Sequence, residues 1–383
     1  MNPKIICVHL LNDYSGSPLV LSQVIEGFLK EEYDVTIYTN QTEGFLSNIN
    51  KADYQLFNYY WSNKRWKTMF RFFWCQLVLF FRMWQYRKQE VTLYINTVLP
   101  FGVALAGKLM GKQVIYHVHE TSINPPIFKK FLFNMADFTA TKAIYVSEYL
   151  REKESLKSKP CTTIYNALPK HFTDISNNFK KQKDSNFNIL MLCSLKRYKG
   201  INEFIDLAKL LSNYQFYLIL NAKAADIQEY FKDLSIPTNI LWYPAQKNVH
   251  AFYQQADVVL NMSHPEMWVE TFGMTALEAM SYGLPVIVPP VGGITEVVEH
   301  GINGFHQDCR NIEAFSECIQ SLANNYPLYQ EIAKNAKLRA EVFSLNNMSK
   351  QINELVTTNA SVSNVERITN SANMHPFTNT TNT

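Results

Sequence analysis

The sequence predicts an α/β protein of two doubly wound, Rossmann-like domains facing a central cleft. Three observations lead there. Short apolar runs alternate with helix-length segments along most of the chain, a polar stretch interrupts them near the middle, and 383 residues suffice for two separate cores.

Taken in order, "KIICVHLL", "YDVTIYTN", "VTLYIN", "QVIYHVH" and "KAIYVS" read as buried strands of a first domain over residues 1–172. Runs that are apolar throughout, with helices between them, belong to a parallel sheet covered on both faces. The polar run "FTDISNNFKKQKDSNFN" predicts a linker over 173–187. A second series, "NILMLCSL", "FYLILNA", "NILWYP", "DVVLNM" and "LPVIVPP", predicts a second domain of the same kind over 188–340. "EVFSLNNMSKQINELV" predicts a helix over 341–356 packing back across the domains. The Asn/Thr/Ser-rich stretch 357–383 is expected to be a disordered tail with no catalytic role.

Apolar residues make up 47% and charged residues 18%, a globular composition that excludes a disordered chain. The net charge of +3 is uneven. Residues 1–170 hold 20 Lys/Arg and 13 Asp/Glu, the remainder 16 and 20, so an anionic partner is expected on the N-terminal side. Six cysteines without CxxC pairs or metal-ligand spacing predict buried free thiols in a reducing compartment. The N-terminus lacks the pattern of a signal peptide, and a cytosolic location is expected.

The most informative segment is "HPEMWVETFGMTALEAMSYGLPVIVPPVGGITEVVEHGINGF", His264 to Phe305. Pro265 argues against a helix through its start, and a helix is expected to open near Thr271–Gly273 and close at Gly283. Glu270 then lies in the loop before the helix and Glu278 inside it. In open α/β sheets, ligands bind where strand ends feed helix N-termini. Such an end offers free N–H groups and a positive partial charge to a phosphate, and Gly273 allows close backbone approach. Carboxylates are good acceptors for sugar hydroxyls. A nucleotide-sugar presents both groups. The plainer alternative is a pair of solvated acids that help the helix dipole.

The E-x7-E spacing, with the continuation "AMSYGLPVIVPPVGGITEVVEHGINGF", resembles the signature of family 4 retaining glycosyltransferases with the GT-B fold. The likeness is strongest from Asn188 to Phe305. It implies that Glu270 faces the donor sugar, that Glu278 binds the nucleotide ribose, and that backbone amides around Phe272, Gly273 and Met274 meet the sugar and phosphates. It also implies transfer with retention and no metal; the sequence contains no Asp-x-Asp, and no cofactor is expected.

A departing nucleoside diphosphate needs positive charge, and fixed cations in a dry cleft supply it most effectively. "CSLKRYKG" follows the first strand of the second domain. In the family an arginine precedes the leucine and a lysine lies four residues after it. Lys199 fits the second position, whereas Ser194 stands at the first. Lys196 or Arg197 is a candidate to replace the missing charge. On the N-terminal side, the resemblance places the Ser15–Gly16–Ser17 turn near the diphosphate and the acceptor, and gives His119 a donor-sugar contact. Strand alternation puts His117 on the same face as His119.

Residues 57–89 hold four of the six tryptophans and seven Lys/Arg without an acid. Their most apolar part, Phe72–Phe81, is too short for a bilayer span, which needs about 20 residues. Two readings stand: an aromatic and basic helix at an anionic membrane surface, or a helix packed on its own domain. No nucleic-acid motif is present. The expectation is therefore a metal-independent glycosyltransferase at the inner face of the cell membrane. It would move a sugar from a nucleotide-diphosphate-sugar to a lipid-linked saccharide. A non-catalytic GT-B partner subunit and a nucleotide-sugar epimerase are the alternatives.

Overall fold

The computed structural model describes residues 2–60, 64–179 and 187–358. Residues 359–383, where most of the expected tail falls, and 180–186 of the expected linker lie outside the described residues.

The first sheet is built from β1 (Lys4–Val8), β2 (Asp34–Asn40), β3 (Asp53–Phe57), β4 (Val91–Asn96), β5 (Gln113–Val118), β6 (Lys142–Tyr145) and β7 (Cys161–Thr163). The second contains β8 (Asn188–Ser194), β9 (Gln215–Asn221), β10 (Ile240–Tyr243), β11 (Val258–Leu260), β12 (Val286–Val288) and β13 (Gly304–His306). Their orders are β3-β2-β1-β4-β5-β6-β7 and β10-β9-β8-β11-β12-β13, with parallel pairing throughout. Both are doubly wound, and each reverses direction beside its first strand, between β1 and β4 and between β8 and β11. That is where such folds bind ligands. The GT-B architecture is thus present in full.

β3, β7 and β13 were not anticipated, and each is short or lies at a sheet edge. β3 leaves most of "DYQLF" at least partly open to solvent, so it lacks the apolar run that marks a central strand. The stretch expected to be a linker from residue 173 is instead helical from Lys170 to Asn178. Phe172 and Ser176, one turn apart, bury its inner face. Phe172 packs edge-on against Tyr253 and Tyr282 of the second domain, so the polar composition belongs to the outer face alone.

The expected C-terminal helix starts later than its sequence suggests. The chain breaks at Phe343–Ser344 between helices Tyr326–Val342 and Leu345–Thr357, and the Ser344 hydroxyl caps the second by accepting from Asn347 N at 3.2 Å. Met348, Ile352 and Val356 of that helix join Val20, Leu21, Val24 and Phe28 of helix Gly16–Lys30 in one core cluster. The C-terminal end of the chain therefore completes the N-terminal domain. All six cysteines are free; Cys7, Cys75 and Cys309 are buried and the others half-buried.

The aromatic stretch forms helix Arg65–Met83. Phe72, Cys75, Gln76, Leu79 and Met83 bury one stripe against helix Phe101–Leu109. Gln76 Oε1 accepts from Gly102 N at 2.9 Å, which accounts for a polar residue in that stripe. The other face stays open, with Trp66 67% exposed, Phe70 68% and Phe81 64%. Among the described residues no helix is long and apolar enough to cross a membrane.

Candidate active site

The site forms where the carboxyl ends of both sheets meet. From the second domain come the turn after β8, the loop after β11 and helix Met274–Ser281. Gly273 opens that helix at φ +97, a left-handed conformation in which a Cβ would lie 2.6 Å from Ile294 Cγ1. Only glycine fits both the angle and the space. Glu270 lies in the loop before it, pinned by a parallel bridge to Gly292, and Phe272 is buried beneath.

Glu270 is paired with Lys199 Nζ and accepts from Ser263 Oγ at 2.7 Å through the same oxygen. Burial alone would push its carboxyl up. The Lys199 charge and hydrogen bond, with further bonds from Ser263 and Asn261, outweigh that and hold it below the usual range. Lys199 is also 5.0 Å from the ring of Trp268, which stacks on Tyr198 at a 4.9 Å centroid distance. One ammonium and one carboxylate are thus fixed together on a half-buried aromatic floor.

Glu278 has the opposite surroundings. It accepts from Tyr253 OH at 2.6 Å, and among the described residues no cation pairs with it. Burial pushes its carboxyl up to about 7 against the lowering effect of that hydrogen bond. Tyr253 is stacked on Tyr282, and both touch Phe172, so this glutamate rests on the aromatic cluster at the domain junction.

From the first domain, Gly16 faces the start of the Met274 helix: a Cβ on Gly16 would come 4.0 Å from Met274 Cγ. His119 follows β5, and its Nε2 bonds Asn96 Oδ1 at 2.9 Å. Burial, then the proximity of His117 and His9, holds it well below its ordinary pKa, so it is a neutral ring. His117 lies on the same face, as alternation predicts, its ring 4.3 Å from that of His119, but further inside the domain. It is fully buried, bonded to Tyr94 OH at 2.8 Å, and pushed down to about 3 by burial.

The turn after β8 divides its cations. Lys199 reaches Glu270, while Lys196 and Arg197 are exposed. The charge of Arg197 acts on Tyr230. Ser194 ends β8 opposite Asn221. Ser263, Asn261, Tyr253 and the Tyr198–Trp268 pair escaped the sequence reading. They belong to no motif: Tyr253 reaches Glu278 through the fold, Ser263 and Asn261 reach Glu270 from the loop before it, and the Tyr198–Trp268 pair lies against Lys199. Among the described residues, no group of three or more His, Cys, Asp or Glu could hold a metal ion.

The two halves are locked together behind the site. Glu296 Oε2 accepts from Glu148 N at 2.9 Å and its Oε1 from Tyr149 N at 2.6 Å, so a carboxylate of the second domain caps a helix of the first. Arg339 donates to Glu296 O at 2.6 Å, and Tyr165 packs on Phe272 and Phe343.

The doubly wound pair of domains has counterparts among known proteins. Residues 173–339, somewhat under half of the chain, match the family model described as glycosyl transferases group 1, and the whole chain has the GT-B fold. An uncharacterized glycosyltransferase of Methanocaldococcus jannaschii is 28% identical over 247 residues, covering 55% of this chain and 62% of that protein. The match therefore spans less than two thirds of that relative. The capsular polysaccharide biosynthesis glycosyltransferase CapM of Staphylococcus aureus is 26% identical over 249 residues, covering 59% and 63%. The crystal structure of Anabaena HepE in complex with UDP and glucose superposes with a TM-score of 0.75 at 18% identity, covering 94% of this chain and 100% of that one.

Proposed function

We propose that the protein is a retaining glycosyltransferase that moves a sugar from a nucleotide-diphosphate-sugar to a lipid-linked saccharide or similar acceptor in surface polysaccharide synthesis. The observation that carries this reading is the Lys199–Glu270 pair, fixed beside the Gly273 helix start and across from Gly16. As the glycosidic bond to the nucleotide breaks, negative charge grows on the diphosphate. Lys199 and the free N–H groups that open the Met274 helix would meet it without needing to reorganise. Glu270, held ionised, would lie on the sugar side, where developing positive charge at the anomeric carbon needs a carboxylate. Glu278 would accept the ribose hydroxyls, and neutral His119 would offer a hydrogen bond to the donor sugar.

The fixed ammonium removes the need for a metal, so chelation with EDTA should leave turnover unchanged. Support for the donor class comes from the similar fold of HepE, whose structure holds UDP and glucose. Support for a polysaccharide product comes from CapM. The open aromatic face of helix Arg65–Met83, with Lys67 and Arg71 beside it, suits the surface of an anionic leaflet where a lipid-linked acceptor resides.

The test is thermal stabilisation by UDP-, GDP-, ADP- and dTDP-sugars without added metal, since a ligand of the folded state must raise the melting temperature. A shift with one donor, lost in Glu278→Ala, is expected. Ser194 and the outward-lying Arg197 favour one rival, a non-catalytic partner. Absence of any shift, or donor binding without slow hydrolysis, would establish that rival instead.

A further inference from the structure

Asn96 ends β4 and is fully buried, although its side chain is polar. The two ends of its amide are not interchangeable. Nδ2 donates to Ser17 O at 3.0 Å, a carbonyl that can only accept, and lies 3.1 Å from His9 Nδ1. Turned over, the amide would set Oδ1 against Ser17 O, two acceptors with no proton between them and no water to intervene. The rest of the N-terminal domain therefore fixes its orientation. Oδ1 is left facing His119 Nε2 at 2.9 Å. An amide oxygen only accepts, so Nε2 must carry a proton.

The state of the other ring nitrogen follows. A neutral imidazole has one N–H, and burial beside His117 and His9 keeps this ring neutral. With the proton on Nε2, Nδ1 holds a bare lone pair. Nδ1 makes no hydrogen bond among the described residues, and His119 is only half-buried. His117 differs: its Nδ1 is bonded to Tyr94 OH, and its Nε2 is sealed from solvent without a partner. Ser17, held by the same amide, follows Gly16, the residue that faces Met274 across the cleft. Asn96 thus ties the glycine turn and the histidine together on the N-terminal wall of the site.

Building on the transferase reading, we propose that Asn96 is a positioning residue that fixes His119 with its lone pair toward the cleft, so that the group this histidine recognises is a hydroxyl and not an oxyanion. The bond between His119 and the donor sugar is then one that the ring accepts. A hydroxyl brings the proton that Nδ1 lacks, whereas a phosphate or carboxylate oxygen at the same point would bring a second lone pair. Nδ1 has no proton to give, so His119 is not an acid toward the departing diphosphate. That charge is left to Lys199 and the Met274 helix of the other domain.

NMR locates the proton directly. The full chain is labelled with nitrogen-15 in its histidines as wild type, Asn96→Ala and Asn96→Asp, and His119→Gln identifies the His119 signals by their loss. At neutral pH the wild type should show a protonated Nε2 and a bare Nδ1, unchanged when UDP or pyrophosphate is added. Asn96→Ala opens Nε2 to water and should speed exchange of its proton about tenfold or more. Asn96→Asp keeps the bond but sets a carboxylate beside the ring, and should raise the pH at which the ring becomes charged by about one unit or more. Either variant decides if the other does not fold, and the wild-type spectrum decides the proton's place without them. The proposal is overturned if Nδ1 carries a proton in the wild type, if UDP or pyrophosphate drives one onto it, or if the folded variants leave the His119 signals unmoved. The melting-temperature panel of nucleotide-sugars on the same wild-type protein reads the transferase assignment separately: no shift there, with the proton on Nε2, overturns that assignment and leaves the role of Asn96 standing.

Discussion

Lys199 sits beside one of the two glutamates of the E-x7-E segment and leaves the other alone, and this makes two identical side chains different reagents. Glu270 stays ionised because a half-buried cation and a hydroxyl share its oxygen. Removing that cation in Lys199→Ala should lower transfer about 10²–10³-fold, read from kcat at saturating donor. Glu278 is raised to about 7 by burial. Its folded-state value exceeds the unfolded one, so the folded protein holds the extra proton between about pH 4.5 and 7. Stability is full below that window, falls as pH rises through it, and is level above. Glu278→Gln removes this dependence. The ligand-free variant should gain on the order of 1–2 kcal/mol over wild type on going from pH 5 to pH 8, measured by urea unfolding at both. Residue identity at these positions was legible because the spacing is local. Tyr253 was not, because a hydrogen bond across the fold leaves no mark on sequence spacing; nor was Ser263, seven residues before Glu270, because a loop serine carries no signal of where its hydroxyl points.

At the level of elements, helix Arg65–Met83 bears out the packed reading of its sequence on one face and leaves the other face open to solvent. Its Phe72–Leu79 stripe is core, and its Trp66–Phe70–Phe81 face is not. The helix has no acid in its first turn and carries Lys67 there, against the helix dipole. Folding stability does not account for that choice; the proposed attraction to an anionic surface would. Replacing Trp66, Phe70 and Phe81 together with Ser should weaken cosedimentation with phosphatidylglycerol vesicles about tenfold or more while leaving the melting temperature nearly unchanged. Leu79→Ala should do the reverse, costing about 2–4 kcal/mol of stability with vesicle binding retained in the folded fraction. Hydrophobic periodicity announced the helix, but it could not say which of two apolar faces would find a partner. The same ambiguity hid helix Lys170–Asn178, where only Phe172 and Ser176 turn inward.

The whole molecule is held by contacts that ignore chain order. Helix Leu345–Thr357 supplies Met348, Ile352 and Val356 to the N-terminal core, and Lys142 Nζ donates to Leu355 O at 2.6 Å. A chain ending at Val342 should therefore expose Val20, Val24 and Phe28. It should lose cooperative unfolding of the first domain, seen as faster amide exchange in β1 and β2, while the second domain keeps its protection. Glu296, capping the helix at Glu148, ties domain position to two amides.

By itself the sequence determined the two doubly wound domains, the central strands and the E-x7-E segment with Lys199. All of these are encoded by apolar runs and by spacings of a few residues, over which local geometry is nearly invariant. Tertiary structure alone decided the rest: that Lys199 and not Arg197 meets Glu270, that His117 is core while His119 lies beside Asn96, and that edge strands exist. Those outcomes depend on which distant side chains desolvate and pair with one another, and burial is a property of the assembled fold.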